Sequence, residues 1–194
     1  METQQPLPEF KIEGSAMFIP TALPLVSEND PILKQKTERF DFDNPPMNPV
    51  QLYQNLGRTL MAHDALGLAA PQVGLPYRFF VLRTENILGV FNPILVDKSE
   101  EEVTMEEGCL SFVNLFIKIK RPQRIRARFT TPDGQTQTAV FDGMTARAFL
   151  HEYDHLEGKV FTTVANRFHL DAGRKKRHLI KSGRYTVSHV IKEA

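Results

Sequence analysis

The 194-residue chain predicts an α+β fold. Three observations carry that expectation: an amphipathic helical stretch before the middle of the chain, a run of short strand-like segments after it, and a second helical stretch near residue 150. Few helices fall between the strands, so connected hairpins are favoured over alternating parallel units.

The first helix starts at Asn48-Pro49, where Asn can cap free amides and Pro at the first helical position forfeits no hydrogen bond. Val50, Tyr53, Leu56, Leu60, Met61 and Ala65 then recur at helical spacing, and Gly67 is suited to end the helix. Strand character follows over 78–83, 90–96, 116–121, 124–131 and 135–141, the last two forming a hairpin around Pro132-Asp133-Gly134. From Met144 to Glu157 the period returns to helical, with Gly158 placed as the stop.

Composition bounds the classes of function. With 41% hydrophobic and 24% charged residues, the chain has ordinary globular usage, which excludes disorder and collagen-like order. Its length suits one domain. No apolar run approaches the roughly 18 residues of a membrane span, so a soluble chain without a membrane partner is expected. Residues 1–24 carry four prolines and Glu2, Glu9 and Glu13. They read as an N-terminal arm with no targeting signal. The domain proper is expected over 25–169 and a basic C-terminal tail over 170–194. From Asn166 onward eight Lys or Arg face two acids, leaving 16 basic and 21 acidic groups before it. The cluster Arg174, Lys175, Lys176, Arg177 suits phosphate contact, or simply a solvated helix face.

Chemistry concentrates in three stretches. In His151-Glu152-Tyr153-Asp154-His155 the imidazoles lie four residues apart, about 40° apart around a helix. Both can reach one cation while Glu152 sits beside it, the arrangement of metallohydrolases; two surface histidines on a polar face is the plain alternative. Cys109, the single cysteine, stands in Glu107-Gly108-Cys109-Leu110-Ser111 as a candidate third ligand, or as a small buried hydrophobe. Gly108 there reads as permitting an unusual backbone angle. A Cys/His/His set would leave one position for water. Gly67-Leu68-Ala69-Ala70-Pro71-Gln72-Val73-Gly74 is rich in small residues that let a ligand approach the backbone, and the Gln72 amide can donate to an oxyanion; a helix stop and tight turn would also explain it.

Together the three stretches resemble the peptide deformylases, whose motifs G-x-G-L-A-A-P-Q-x-G, E-G-C-L-S and H-E-x-D-H correspond to residues 65–74, 107–111 and 151–155. The similarity extends from Pro24 through Val164 and includes Asp30-Pro31-Ile32-Leu33. The resemblance implies mostly antiparallel sheets surrounding a central helix that carries the metal motif, and removal of the formyl group from N-terminal formyl-methionine with release of formate. It implies Cys109, His151 and His155 as metal ligands, Glu152 as general acid/base, and Gln72 with the Leu110 backbone amide as oxyanion donors. Leu66, Met144 and Ala148 are implied in the methionine pocket, with backbone near Gly67 holding the peptide. One divalent ion is implied per chain, Fe2+ first, with Zn2+, Ni2+ or Co2+ as substitutes. N-formylmethionyl peptides, a transient ribosome contact, a monomeric state and a bacterial cytoplasmic setting are expected, with organellar or viral origin also compatible.

Three positions depart from the family pattern. Ala65 replaces the usual first glycine, Leu150 stands where Gln is usual before the first histidine, and Phe112-Val113 lacks the common Pro after E-G-C-L-S. Two rival readings stand beside this one: a zinc endopeptidase, and a non-catalytic relative that binds peptides or the ribosome.

Overall fold

The computed structural model describes residues 22–185, so the expected arm lies outside the described residues apart from its last three positions, as do residues 186–194 of the tail. The elements in order are helix α1 (Pro49–Ala62), strands β1 (Gly67–Ala69), β2 (Phe79–Arg83), β3 (Ile87–Lys98), β4 (Glu102–Gly108), β5 (Phe116–Pro122), β6 (Arg124–Thr130) and β7 (Thr136–Asp142), then helices α2 (Gly143–Leu156), α3 (Phe161–Val164) and α4 (Arg167–Lys181). The α+β expectation holds. Five antiparallel strands form one sheet in the order β1-β2-β3-β6-β7, and β4 with β5 forms a separate antiparallel ribbon.

The sheet separates two apolar layers. Strand β2 is buried on both faces because Phe80 and Leu82 turn toward α2 while Phe79 and Val81 turn toward α1. On the α2 side, Phe149 sits edge-on to Phe80, ring centroids 5.0 Å apart, and against Phe141 at 4.9 Å. On the α1 side, Leu52, Leu56 and Leu60 cover Leu68, Phe79 and Phe91. A third layer under the ribbon joins Ile117 and Ile119 to Leu33, Phe112, Val160 and Phe161. Helix α2 contacts β1, β2, β6 and β7 of the sheet and also β5 of the ribbon, so it lies between the two strand systems.

Asn48 caps α1 as expected, its side-chain oxygen accepting from the amides of Val50 and Gln51, each at 3.0 Å. The helix does not run to Gly67. It ends at Ala62, because Asp64 takes a left-handed angle (φ 48°) that turns the chain toward β1. Gly67 lies inside β1, and its lack of a side chain serves a close approach described below. Strands β1 and β4 escaped the sequence pattern: β1 is three residues long, and β4 reads Glu-Val-Thr-Met-Glu-Glu-Gly with no apolar run. Strand β3 is longer than its expected core and absorbs Pro93 at a register shift, next to Asn92 at φ 49°. Helix α2 ends where Gly158 (φ 67°) permits it. Beyond it, α4 crosses residue 169 and packs on β5, with Gly173 so close that a Cβ there would stand 2.6 Å from the Phe116 carbonyl oxygen. No helix among the described residues is long and apolar enough to cross a membrane.

Candidate metal centre

Helix periodicity places His151 and His155 on one face of α2, both buried, with ring centroids 5.2 Å apart. Cys109 follows directly on the last residue of β4 and reaches the same face, its Sγ 3.4 Å from His155 Nε2. One ligand atom from each of the three residues lies within 4.8 Å of the other two, so they can hold a metal ion. Glu152, 3% exposed, lies against β1: a Cβ on Gly67 would come within 2.5 Å of its Oε1. Gly67 is therefore a glycine for contact with a carboxylate. Gly108 shows no left-handed angle; its small size makes room for the Phe116 ring, which a Cβ would meet at 2.9 Å.

Gln72 is buried in the turn that follows β1. Its side-chain oxygen accepts from the Ala69 amide at 2.8 Å, which fixes the amide orientation and leaves Nε2 aimed at Cys109 Sγ, 3.4 Å away. The sulfur thus receives a donor on one side and an imidazole on the other. Leu110 is half-buried beside the α1-side core.

Glu107 does the orienting. Its Oε1 accepts from Arg121 Nε and Arg147 Nη1, each at 2.6 Å, and its Oε2 accepts from Arg121 Nη2 at 3.0 Å and faces His151 Nδ1 at 3.1 Å. An ionised carboxylate only accepts, so His151 Nδ1 carries a proton. Its Nε2 is then the nitrogen with a free lone pair for a cation. Burial alone would push the Glu107 carboxyl up, but hydrogen bonds from His151 and Arg121 outweigh it and hold it at about 2. Arg121 also reaches Asp154 on α2 at 2.8 Å, a second tie between ribbon and helix.

Glu152 has the opposite environment. Burial pushes it up to about 7, only partly offset by the charge of His151 when that ring is protonated and by the charge of Arg121. Its Oε2 and His155 Nδ1 are both buried with no hydrogen-bond partner among the described residues. Taken as side chains alone, burial and the charges of His151 and Arg121 drive His155 well below its usual range. A neutral imidazole, a second imidazole of fixed tautomer and a thiol sulfur make a mixed N/S donor set that fits a divalent transition metal.

The residues expected around the methionine side chain are less enclosed than the candidate histidine ligands. Leu66 and Met144 are exposed, at 41% and 45%, and Ala148 packs half-buried against the core between α2 and the sheet. The three departures have plain structural roles. Ala65 packs beneath α1 and does not take the left-handed angle, which falls on Asp64. Leu150 joins the main core. Phe112 meets Phe161 edge-on at 5.4 Å. Sequence reasoning assigned no role to Glu107, Arg121 or Arg147. Arg147, four residues before His151 and so on the same helix face, was the one readable signal.

The model of the family described as polypeptide deformylase matches residues 22–170. A peptide deformylase of Thermotoga petrophila is 38% identical over 131 residues, covering 66% of this chain and 78% of the relative; one of Cytophaga hutchinsonii is 36% identical over 147 residues, covering 71% and 79%. The crystal structure of peptide deformylase from Thermotoga maritima superposes with a TM-score of 0.71 at 31% identity, covering 75% of this chain and 98% of that one. A Plasmodium falciparum peptide deformylase in complex with an inhibitor superposes at 0.72 and 27% identity, covering 81% and 99%. The family match runs from the segment before α1 into α4, and with these identities and superpositions it shows that this chain belongs to the peptide deformylase family of enzymes.

Proposed function

We propose that this chain is a metal-dependent hydrolase that removes the formyl group from N-formylmethionyl peptides, releasing formate and a free amino terminus. The observation that carries the reading is the meeting of Cys109, His151 and His155 within 4.8 Å, with Glu152 buried beside them. When bound there, a divalent ion supplies Lewis acidity that lowers the pKa of water from about 15.7 towards 7. The donor set suits Zn2+ and Fe2+ alike, and the family resemblance favours Fe2+, with Ni2+, Co2+ or Zn2+ able to replace it.

The chain's own groups divide the remaining work. Glu152 takes a proton from the attacking water at a carboxylate oxygen and returns it to the departing amine nitrogen as the formyl C–N bond breaks; a carboxyl held near 7 suits both transfers. Gln72 Nε2, with one hydrogen directed to the Cys109 sulfur, keeps a second for the developing oxyanion, and the Leu110 amide is the companion donor. Strand β1 is a short edge strand, and a peptide laid beside Gly67 would extend the sheet. Leu66, Met144 and Ala148 would supply apolar surface for the methionine side chain.

The site acts on nascent chains in a bacterial cytoplasm, as a monomer. A transient ribosome contact would use the outer face of α4, where Arg174 and Lys175 are exposed while Arg177 is tied to Glu28 and Lys176 to Glu106. Reversing the charge of Arg174 and Lys175 should weaken salt-sensitive co-sedimentation with ribosomes; unchanged co-sedimentation removes that contact.

The deciding experiment is anaerobic purification with metal analysis, followed by a formate assay on formyl-Met-Ala-Ser. Stoichiometric metal and formate release are expected, with faster loss of activity in air for the iron form. Cleavage of internal peptide bonds without formate release would make the chain an endopeptidase instead.

A further inference from the structure

Arg147 is the side chain that the chemistry above leaves unused. It carries a full positive charge, is 5% exposed, and sits on α2 one turn before His151. Its guanidinium grips both strands of the ribbon. Nη1 donates to Glu107 Oε1 at 2.6 Å and to the Ile119 carbonyl of β5 at 3.0 Å, while Nη2 donates to the Val103 carbonyl of β4 at 2.6 Å. The candidate ligands come from those same two elements: His151 and His155 from α2, and Cys109 from the end of β4. Only tertiary packing relates the two groups, so whatever fixes the ribbon against α2 fixes the distance between the sulfur and the imidazoles.

Apolar packing would hold a ribbon on a helix at least as strongly, because a buried guanidinium must first be desolvated. What a leucine cannot supply is directional hydrogen bonding to two strands and a carboxylate at once. We propose that Arg147 is a positioning residue that locks the β4–β5 ribbon onto α2, so that the Cys109 sulfur meets the two imidazoles and Glu107 stays aligned on His151. This assignment rests on the reading of Cys109, His151 and His155 as ligands of a divalent cation.

Binding of Co2+ to the full chain tests it without turnover, since a thiolate–cobalt charge-transfer band and visible d–d bands report the donor set directly. Arg147→Met keeps much of the stem volume and removes the fork. It should weaken Co2+ binding about ten- to hundredfold, the range for losing an outer-shell partner, and diminish the thiolate band. Arg147→Lys should recover only part, because one ammonium cannot reproduce the fork. Arg78→Met is the control. Arg78 pairs with Glu157 at 2.6 Å and lies over the Tyr153 ring at 5.1 Å, clamping the far end of α2 without touching the centre. It should lower the melting temperature while leaving cobalt affinity and spectrum as in the wild type. Arg147→Met binding Co2+ within twofold of wild type, with an undiminished band, would overturn the assignment and leave Arg147 a structural clamp. If that variant does not fold, Arg147→Lys decides on the same readouts, wild-type affinity and band again overturning it. A wild-type chain that takes up no Co2+ would instead overturn the cation site itself, and this assignment with it.

Discussion

The two halves of the centre are built on different physics. Helix α2 supplies His151, Glu152 and His155 at spacings that 3.6 residues per turn dictates, so their mutual placement is local. The β4–β5 ribbon supplies Glu107 and Cys109, and their placement depends on Arg121, Arg147 and Asp154, which lie between 14 and 47 residues from Glu107 in sequence. Glu152 is a buried acid with its Oε2 left without a partner and is pushed up to about 7, whereas Glu107 is a buried acid saturated with donors and held at about 2. Two carboxylates of nearly equal burial therefore differ by the company each keeps: one is poised to move a proton, the other to stay charged and hold a ring.

That contrast makes substitutions in the two halves fail differently. The largest effect is expected from Glu152→Gln. Formate release should fall by about 10²–10⁴-fold, the usual contribution of a positioned acid/base. Metal content and melting temperature should persist, because Glu152 Oε2 bonds to no protein group. A Glu152→Gln protein that lost its metal would erase the distinction between the halves. Glu107→Gln should do the reverse. It leaves Arg121 and Arg147 buried against a neutral amide, which by analogy with broken buried pairs destabilises the fold by about 3–5 kcal/mol. Urea denaturation would measure that loss, and metal titration should show weaker binding alongside it.

The same contrast explains what was legible in the sequence. The two histidines, Glu152 and the hairpin around Gly134 follow from periodicity and turn chemistry, and the structure keeps them where those rules put them. The ribbon did not announce itself. Strand β4 has no apolar run, and nothing in Glu106-Glu107 says which of the two turns inward; only the arginines on other elements decide it. Gly67 was legible as a glycine that matters but not for the right reason. Helix-stop chemistry was the local explanation, while the true constraint is the Glu152 carboxylate more than 80 residues away.

Gly67→Ala isolates that long-range constraint. The added methyl would overlap Glu152 Oε1 and Cγ, at 2.5 and 2.7 Å, and must displace the carboxylate. A misplacement of about 1 Å in a catalytic group lowers rate about 10²-fold, so kcat should fall by that order while cobalt affinity stays near wild type. A variant as active as wild type would show that β1 yields and that Glu152 does not depend on its contact with the strand.

The smallest effect concerns the far end of α2, where Glu157 caps the helix and meets Arg78 at 2.6 Å and Lys36 at 2.9 Å. Partial burial raises its carboxyl pKa, but hydrogen bonds from Lys36 and Arg78 outweigh that and hold it below the usual carboxylate value. A carboxylate with a depressed folded-state pKa stabilises the fold above its unfolded value, near 4.5, and that contribution disappears as pH falls through the lower folded value. Glu157→Gln should therefore be less stable than wild type by about 1 kcal/mol or less near pH 7, and the gap should close in acid. Paired denaturation curves at several pH values would measure it. Because Glu157 lies outside the centre, formate release by Glu157→Gln should track wild type across the range where both remain folded. A change in metal affinity would mean that the helix transmits strain along its length, and the local character of the α2 half would then be lost.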